Sequence, residues 1–455
     1  MPNSDSNNRG PKKGGKTWLV LTVAIIIAGL LALWQFRAIV DPRDSRAPRR
    51  NLTPTDQKPP PKTAVPDKAS PVKADQDSSS PTANWRLGLV TGTDHQSSEI
   101  LQAVREAKKL YGDANSGGLI RHLTYPDTFL ADLDVTIKTI ESLADDPLVK
   151  VILVMEGVPG TAEAFKKIRA KRPEMILLIG ESHENTTAVA QVADMVVNGD
   201  FISRGYLIPY GAKKLGAKTL VHVSFPRHMI DESLSRAKEI MELACEDLGL
   251  DFVYANSPDP TAQKGLKHAQ DFILEKVPLW LKKYGPDTAF YTTNNAHATP
   301  MIKKIIENGG YFVEADESSP FLGYPEALGL NVSSMTNDWD QAVREIEAAI
   351  LKEGAGGRLG SWASSLTITH ILGMVEFGRL VATGQADRRD VLALLKCYEG
   401  VNPKVKWNGD FYADESLKKF DNVFLIYQDT YIFGLGFLGL TDVEVPLKYK
   451  TYKKS

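Results

Sequence analysis

The chain has 455 residues, of which 43% are hydrophobic and 24% charged, and its 54 Lys and Arg nearly balance 56 Asp and Glu. At roughly 100–200 residues per domain this length provides for two or three packed units, and a formal charge of −2 gives no general attraction to nucleic acid or to an anionic membrane. Two cysteines, Cys245 and Cys397, exclude a disulfide-rich scaffold and a Cys-based zinc module. They could pair in an oxidising compartment, but we expect two buried free thiols.

An uncharged apolar run near the amino terminus predicts a membrane-spanning helix. The run extends from Trp18 to Phe36, between the polar segment 1–16 and Arg37. At ~1.5 Å per residue it just spans a hydrocarbon core about 30 Å thick, with Trp18 and Trp34 at the headgroup regions. Large residues at its end argue against a cleaved signal peptide, and the absence of a cysteine before Cys245 argues against a lipoprotein. We therefore predict a cytoplasmic tail at 1–16 and an uncleaved signal anchor at 17–36. The basic residues on its two sides do not set its orientation.

The segment 37–83 is predicted to be a disordered linker. From Asp41 to Ala83 it is rich in Pro and Ser and contains no aromatic residue, so it cannot bury enough apolar surface to order itself. Its proline content predicts an extended, semi-stiff tether with a reach of roughly 40 Å or more. Such a tether would hold a folded domain away from the bilayer.

From Trp85 onward, short apolar runs alternate with amphipathic segments in two successive rounds. The first round predicts strands at 86–91, 119–123, 149–155, 175–180 and 194–198, with helices at 97–111, around 137–144 and at 161–170. The second round predicts strands at 219–224, 251–255, 288–292 and 311–315, with helices from Asp231 to Gly249, at 262–284 and from Thr299 to Gly309.

Repeated β-α-β units form parallel sheets with right-handed crossovers. Two such rounds predict an α/β protein with two Rossmann-like lobes, an N-terminal lobe at 84–200 and a C-terminal lobe at 201–356. Ligands of open parallel sheets bind beyond the carboxyl ends of the strands. Between two lobes, that region becomes a cleft.

Three segments of this region resemble a known family. They are RLGLVTGTDHQSSEILQAVREAKKLYG from Arg86, DTAFYTTNNAHATPMIKKIIENGG with the following YFVEAD from Asp287, and GRLGSWASSLTITHILGMVEFGRLVATGQ from Gly357. Over residues 85–385 the chain resembles the type I periplasmic substrate-binding proteins, the ribose-binding group, whose relatives include the ligand-binding cores of sugar-responsive repressors. It is also similar to a bacterial group of this fold that has no assigned function.

The resemblance implies a periplasmic-binding-protein-like receptor, hinged between its lobes, that closes on a small solute outside the cytoplasm. It also implies that residues 357–385 return to the first lobe. The chain departs from the family in its anchor, in the long segment 320–357 and in the residues 386–455, which we expect to pack on the lobes as an extension. A helix predicted from Asp338 to Leu351 either caps the cleft or covers the C-terminal lobe.

The candidate ligand contacts are polar and aromatic residues at the predicted strand ends: Thr93, Asp94, Glu156, Glu181, His183, Phe225, Arg227, Asn294, Asn295, Asp316 and Trp362. By resemblance, Glu181 lies near the family's acidic ligand contact, Asn294 or Asn295 at its second-lobe Asn, and Asp316 near its second-lobe acid. Ser361 and Trp362 match the return crossover.

Chemically, carboxylates and amides suit hydroxyls or amines, aromatic rings suit stacking, and Arg227 suits a carboxylate or phosphate. Each of these residues also has a structural alternative. Asp94 and Asp200 are plausible helix caps, and each of the histidines His95, His183 and His228 is expected to be hydrogen-bonded locally. The set suits sugars, nucleosides and amino acids alike.

Several sharper chemistries fail on their spacing. Gly434, Gly436 and Gly439 match GxGxxG, but no helix follows to receive a pyrophosphate. The run from Gly354 to Ser361 lacks the Lys of a phosphate-binding loop, and His183 with Glu184 lacks the second His of a zinc-protease helix. We therefore predict no catalytic residue, no metal and no cofactor, and an enzyme is the minority interpretation.

Two functions of different classes remain. The first is a solute-binding protein, anchored in the inner membrane by a single pass, that presents its ligand to an ABC-type transport permease. The second is a sensor whose lobe closure is recognised by a partner membrane protein. A neighbouring permease gene would favour the first, and a kinase or chemoreceptor gene the second. A repressor and a nucleic-acid partner are disfavoured, because the anchor and linker occupy the position of a DNA-reading domain.

Overall fold

The computed structural model of the chain describes residues 84–93, 98–262, 265–331 and 338–453. The predicted tail, anchor and linker at 1–83 lie outside these residues, as does Asp94. Among the described helices, none combines the length and the apolar character needed to cross a membrane.

The strands of the described residues are β1 Arg86–Thr91, β2 Ile120–Thr124, β3 Val149–Met155, β4 Ile176–Gly180, β5 Met195–Gly199, β6 Thr219–Ser224, β7 Asp251–Asn256, β8 Thr288–Thr292, β9 Tyr311–Phe312, β10 Gly360–Trp362, β11 Trp407–Ala413, β12 Lys419–Gln428, β13 Thr430–Ile432 and β14 Gly436–Phe437. The α-helices are α1 Ser98–Tyr111, α2 Leu133–Ser142, α3 Thr161–Lys171, α4 Thr186–Ala190, α5 Phe201–Lys214, α6 Glu232–Leu248, α7 Gly265–Tyr284, α8 Ala298–Asn308, α9 Tyr324–Leu328, α10 Trp339–Lys352, α11 Leu366–Ala382, α12 Val391–Val401 and α13 Leu447–Lys450.

The first lobe is built on a sheet whose described strands follow the order β11-β12-β5-β4-β3-β1-β2. Its pairs are parallel except for β11 with β12. All five residues of β4 are buried, as expected for a parallel strand covered on both faces. The strand β12 pairs with β5, Val423 opposite Val196, so the segment expected to pack on the lobes supplies two strands of this sheet.

The second lobe is built on the parallel sheet β7-β6-β8-β9. Side chains alternate between its two faces. Leu220 packs in one cluster with Met241 of α6, while Val221 packs in another with Ile273 of α7. The cap of α6 is the one expected, since Asp231 accepts a hydrogen bond from the Leu234 N–H at 3.0 Å and Gly249 ends the helix with φ 68°.

The structure answers two questions that the sequence leaves open, namely where the helix from Asp338 to Leu351 packs and whether the two cysteines pair. Helix α10 covers the second lobe, because Ile346 and Ile350 are fully buried in the same cluster as Met301. Cys245 and Cys397 are both buried and unpaired, and burial raises the pKa of each thiol to about 12.

The predicted strand at 311–315 is shorter than expected. β9 ends at Phe312, whose N–H donates to the Arg358 carbonyl at 2.9 Å, and the carbonyl of Ala315 accepts from the Arg204 guanidinium at 2.6 Å. The Ala315 carbonyl, which a longer strand could have paired, is therefore occupied by the Arg204 side chain.

Within the described residues the chain passes between the lobes after β5, before α11 and after β12. Helix α11 lies on the first sheet, where a Cβ at Gly378 would stand 3.0 Å from the Val151 side chain. Helix α11 therefore packs with the first lobe.

The three passages meet at one buried carboxylate. Glu314 accepts from the Arg204 Nε at 2.6 Å through one oxygen. Through the other it accepts from the Trp362 indole N–H at 2.9 Å and from the Thr430 hydroxyl at 2.7 Å. Arg204 and Glu314 are both nearly fully buried. A buried charge pair needs such additional hydrogen bonds to offset its desolvation.

Candidate functional site

The first lobe places acidic side chains where two neighbouring strands end. Glu156 follows β3 directly and Glu181 follows β4 directly. Their φ angles are 52° and 50°, a left-handed conformation that costs of order 1–3 kcal/mol for a residue other than glycine. Tyr125 donates its hydroxyl to Glu156 at 3.2 Å. Strain of this kind persists only where the surroundings impose it, which makes these two turns candidates for a functional site.

The second lobe supplies a matching pair of acidic residues, Asp316 and Glu317, in the segment that follows β9. The Tyr291 hydroxyl donates to Asp316 Oδ1 at 3.1 Å. The Asn295 side-chain N–H donates to Glu317 Oε2 at 2.7 Å. The Asn295 Oδ1 is buried and has no hydrogen-bond partner among the described residues. Both acids are therefore held by side chains at the carboxyl end of β8.

Electrostatics join the two lobes at this site. The pKa of Glu317 is raised to about 8, first by burial and then by the charge of Asp316. The charges of Glu181 and Glu156, from the first lobe, raise it as well. Glu317 nevertheless keeps solvent-exposed surface. A carboxyl that is surrounded by protein and still reached by water lies in a cleft.

The pKa of Asp316 is shifted in the same direction as that of Glu317. Its pKa is raised to about 6, chiefly by burial and against the lowering effect of the Arg204 guanidinium. The charge of Glu181 contributes to the rise. These carboxyls thus respond to one another across the lobes, and the site favours a partner that supplies hydrogen-bond donors or positive charge.

Arg227, the cationic residue predicted to line the cleft, is already paired with the Asp259 carboxylate. The Arg227 guanidinium binds both oxygens of Asp259, at 2.8 and 3.2 Å, and holds the pKa of that carboxyl well below its usual range. It also lies over the ring of Phe225, 5.2 Å from its centroid. Phe225 is fully buried and its ring lies 4.1 Å from that of His228. This group forms a loop after β6, with its own internal contacts.

Other predicted contacts serve local structure. Thr93 donates its hydroxyl to Asp127. The Asn294 side chain accepts from the Ala296 N–H at 3.0 Å, capping a short turn before α8. His183 has an exposed side chain, and its backbone N–H donates to the Gly157 carbonyl at 3.0 Å. Trp362 is 1% exposed and belongs to the Glu314 junction beneath the cleft.

The structure therefore brings together four of the predicted residues: Glu156, Glu181, Asn295 and Asp316. Asp200 is the expected helix cap, since it accepts from the Ser203 N–H at 2.8 Å. Among the described residues, no group of three or more His, Cys, Asp or Glu is placed to hold a metal ion.

Sequence reasoning missed Glu317, His370 and Tyr398. Glu317 was detectable, because it directly follows Asp316 in an acidic run after the last predicted strand. His370 Nε2 lies 2.5 Å from Glu181 Oε1, and His370 Nδ1 lies 2.5 Å from the Tyr398 hydroxyl. A histidine within an apolar helix and a tyrosine far along the chain carry no local signal of such a contact.

Comparisons with known proteins agree with this architecture. Two uncharacterized proteins of Treponema pallidum (strain Nichols) are similar to the chain. One is 44% identical over 39% of this chain and 81% of its own length, and the other is 37% identical over 48% of this chain and 99% of its own length.

Among solved structures, a protein of Clostridium difficile 630 named as a candidate transcriptional regulator matches 77% of this chain and 99% of its own, with a TM-score of 0.70 and 20% identity, which shows a shared fold. A periplasmic ribose ABC transporter protein of Conexibacter woesei DSM 14684 matches 68% of this chain and 90% of its own, with a TM-score of 0.44 and 16% identity. An arabinose-binding protein of Geobacillus stearothermophilus matches 67% of this chain and 89% of its own, with a TM-score of 0.42 and 11% identity.

Two family models also match the chain. One covers residues 371–452. The other covers residues 85–360 and describes proteins of unknown function, DUF3798. Since this second match spans more than half of the sequence, the chain belongs to the DUF3798 family of proteins of unknown function.

Proposed function

We propose that the chain is an extracytoplasmic solute receptor whose two lobes close on one small polar molecule and present it to a transport permease. The observation that carries the proposal is the set of carboxyls supplied by both lobes, Glu156 and Glu181 directly after β3 and β4, and Asp316 and Glu317 in the segment that follows β9. A molecule that satisfies groups from both lobes favours the closed state, because its affinity depends on their approach.

The chemistry of the lining selects among solutes. Its side chains are mainly acceptors, including the unpartnered Asn295 Oδ1, whereas the guanidinium of Arg227 is already bound to Asp259. A solute rich in hydroxyl or amine donors pairs with such a lining, and an anion would add like charge in a partly desolvated place. We therefore propose a neutral or amine-bearing sugar, nucleoside or similar solute, bound without chemical conversion.

The amino-terminal segments fit this role. The apolar run 17–36 would anchor the receptor in the inner membrane by a single pass, and the linker 37–83 would let it reach a permease while staying attached. Tethering raises the effective concentration of the receptor at its membrane partner.

The test is a thermal-shift series on the full chain in mild detergent with D-ribose, adenosine, D-glucosamine and ribose 5-phosphate. We expect at least one of the first three to raise Tm by several degrees when well above its Kd, and ribose 5-phosphate to have no effect. Glu181→Ala should abolish the shift, whereas Glu174→Ala, at an exposed position on the first lobe, should keep it. A chain that none of the four solutes stabilises, or a shift that survives Glu181→Ala, would overturn the proposal.

A further inference from the structure

The Glu181 carboxylate is linked to His370 and Tyr398 by a series of buried hydrogen bonds. Its Oε1 lies 2.5 Å from His370 Nε2, and His370 Nδ1 lies 2.5 Å from the Tyr398 hydroxyl oxygen. His370 and Tyr398 are both 0% exposed. The three residues come from three separate parts of the fold, namely the turn after β4, helix α11 and helix α12.

One proton arrangement satisfies both bonds with a neutral imidazole ring. Nε2–H donates to the Glu181 carboxylate, and the Tyr398 hydroxyl donates to the bare Nδ1. Burial raises the pKa of Tyr398 well above its usual range, and the charge of Glu181 raises it further, so the phenol remains a donor. The bond occupies Oε1 and leaves Oε2 of Glu181 for a ligand.

Packing holds Tyr398, the last residue of this hydrogen-bonded series, in place. A Cβ at Gly373 of α11 would stand 2.7 Å from the Tyr398 ring, so the ring lies directly on the helix backbone. Its edge meets the ring of His370 at 5.4 Å between centroids and that of Trp407 at 5.2 Å. With its ring fixed on several sides, Tyr398 can hold the imidazole in a single orientation.

We propose that His370 and Tyr398 are positioning residues of the ligand site: they fix the Glu181 carboxylate in its left-handed turn at the cleft. This rests on the proposed function. It makes the segment after residue 385 a working part of the receptor, because Tyr398 belongs to that segment. A preorganised acceptor binds more tightly than one that must be ordered by the ligand.

The first test needs no ligand. A histidine N–H bonded to a carboxylate gives a strongly downfield proton NMR resonance, and we expect one in the full chain. It should vanish in His370→Gln and in Glu181→Gln, shift in Tyr398→Phe, and remain in Tyr452→Phe. Tyr452 is a matched control because it lies in the same carboxy-terminal segment and donates to a different carboxylate, Glu239, at 3.1 Å. A spectrum without this resonance, or one that keeps it in His370→Gln, would overturn the inference.

The second test measures affinity, with whichever of D-ribose, adenosine and D-glucosamine most stabilises the wild-type chain. Tyr398→Phe should weaken binding by about 3- to 10-fold, and His370→Ala should weaken it more than His370→Gln, which keeps an amide donor near the Nε2 position. Equal affinity in wild type and Tyr398→Phe would contradict a positioning role. If none of the three solutes binds the wild-type chain, the proposed function fails, while the NMR experiment still decides whether the chain of hydrogen bonds exists.

Discussion

At the scale of single residues, the cleft is defined by carboxyls whose protonation depends on one another. Glu317 has a pKa raised to about 8 and Asp316 one raised to about 6, in both cases mainly through burial. In the unfolded chain these groups titrate near their usual values of about 4. The folded protein therefore retains protons that the unfolded chain releases.

This difference makes stability depend on pH. Because the folded state binds more protons between the unfolded pKa of Glu317 and its folded value of about 8, the free energy of unfolding falls as pH rises through that window. As the pH rises from 5 to about 8, we expect the Tm of Glu317→Gln to fall less than the Tm of wild type. At the upper end of this range the variant should have a Tm that is higher by a few degrees. Solvent exposure of the side chain limits the size of the effect.

The measurement is a Tm series against pH. Glu174→Gln is the control, because Glu174 is exposed and the Arg172 guanidinium lowers its pKa, so that it titrates below this window. Parallel Tm curves for wild type and Glu317→Gln would show that Glu317 does not titrate in the folded protein as described.

How far the sequence predicts individual site residues depends on the distance to their partners. Glu156, Glu181 and Asp316 were predicted because each follows an apolar strand, and the ends of parallel strands share an edge. Phe225 and Arg227 also follow a strand, yet they contact Asp259 and His228, which no strand pattern reveals. His370 lies 189 positions from Glu181, so only the tertiary fold brings them together.

At the scale of elements, helix α12 depends on its contact with α11. Replacing Gly373 by Ala would place a Cβ 2.7 Å from the buried Tyr398 ring. We expect a loss of about 1–3 kcal/mol in the free energy of unfolding, since neither the ring nor the helix backbone can move freely. Urea denaturation of the full chain measures this change.

Substitution of a second glycine, Gly400, should change the free energy of unfolding in the opposite direction. Gly400 lies near the end of α12, is exposed, and has no atom within 4 Å of the position where a Cβ would stand. Gly400→Ala should therefore raise the free energy of unfolding by about 0.4–1 kcal/mol through a less flexible unfolded chain. If both substitutions stabilise the protein, the described packing of α12 on α11 is wrong.

Strands were predicted well wherever local pattern decides. The predicted ranges 86–91, 149–155, 219–224 and 288–292 coincide with β1, β3, β6 and β8, because each is an apolar run bounded by polar or turn residues. Residues 386–455 were expected to pack on the lobes, but the place of β12 beside β5 was not predicted, since strand pairing between distant segments has no local signature.

At the scale of the whole molecule, the passages between the lobes converge on Glu314. One oxygen of this carboxylate binds Arg204 and the other binds Trp362 and Thr430, so a residue from each passage is tied to the same point. We propose that the lobes rotate about the passages while this point stays packed, which would move the carboxyls of the two lobes together or apart.

The distance between spin labels on the two lobes directly measures whether a solute closes them. Leu130→Cys and Ile230→Cys supply the labels, because Leu130 after β2 is 76% exposed and Ile230 after β6 is 83% exposed, while both native cysteines are buried. Leu130→Cys with Leu392→Cys forms the control pair, since α12 packs on α11 of the first lobe.

D-ribose, adenosine and D-glucosamine would be added in turn to the labelled full chain. We expect the solute that raises Tm also to give a shorter and narrower distance distribution between the lobes, with the control pair unchanged. An interlobe distribution that stays the same while that solute is bound would contradict this expectation.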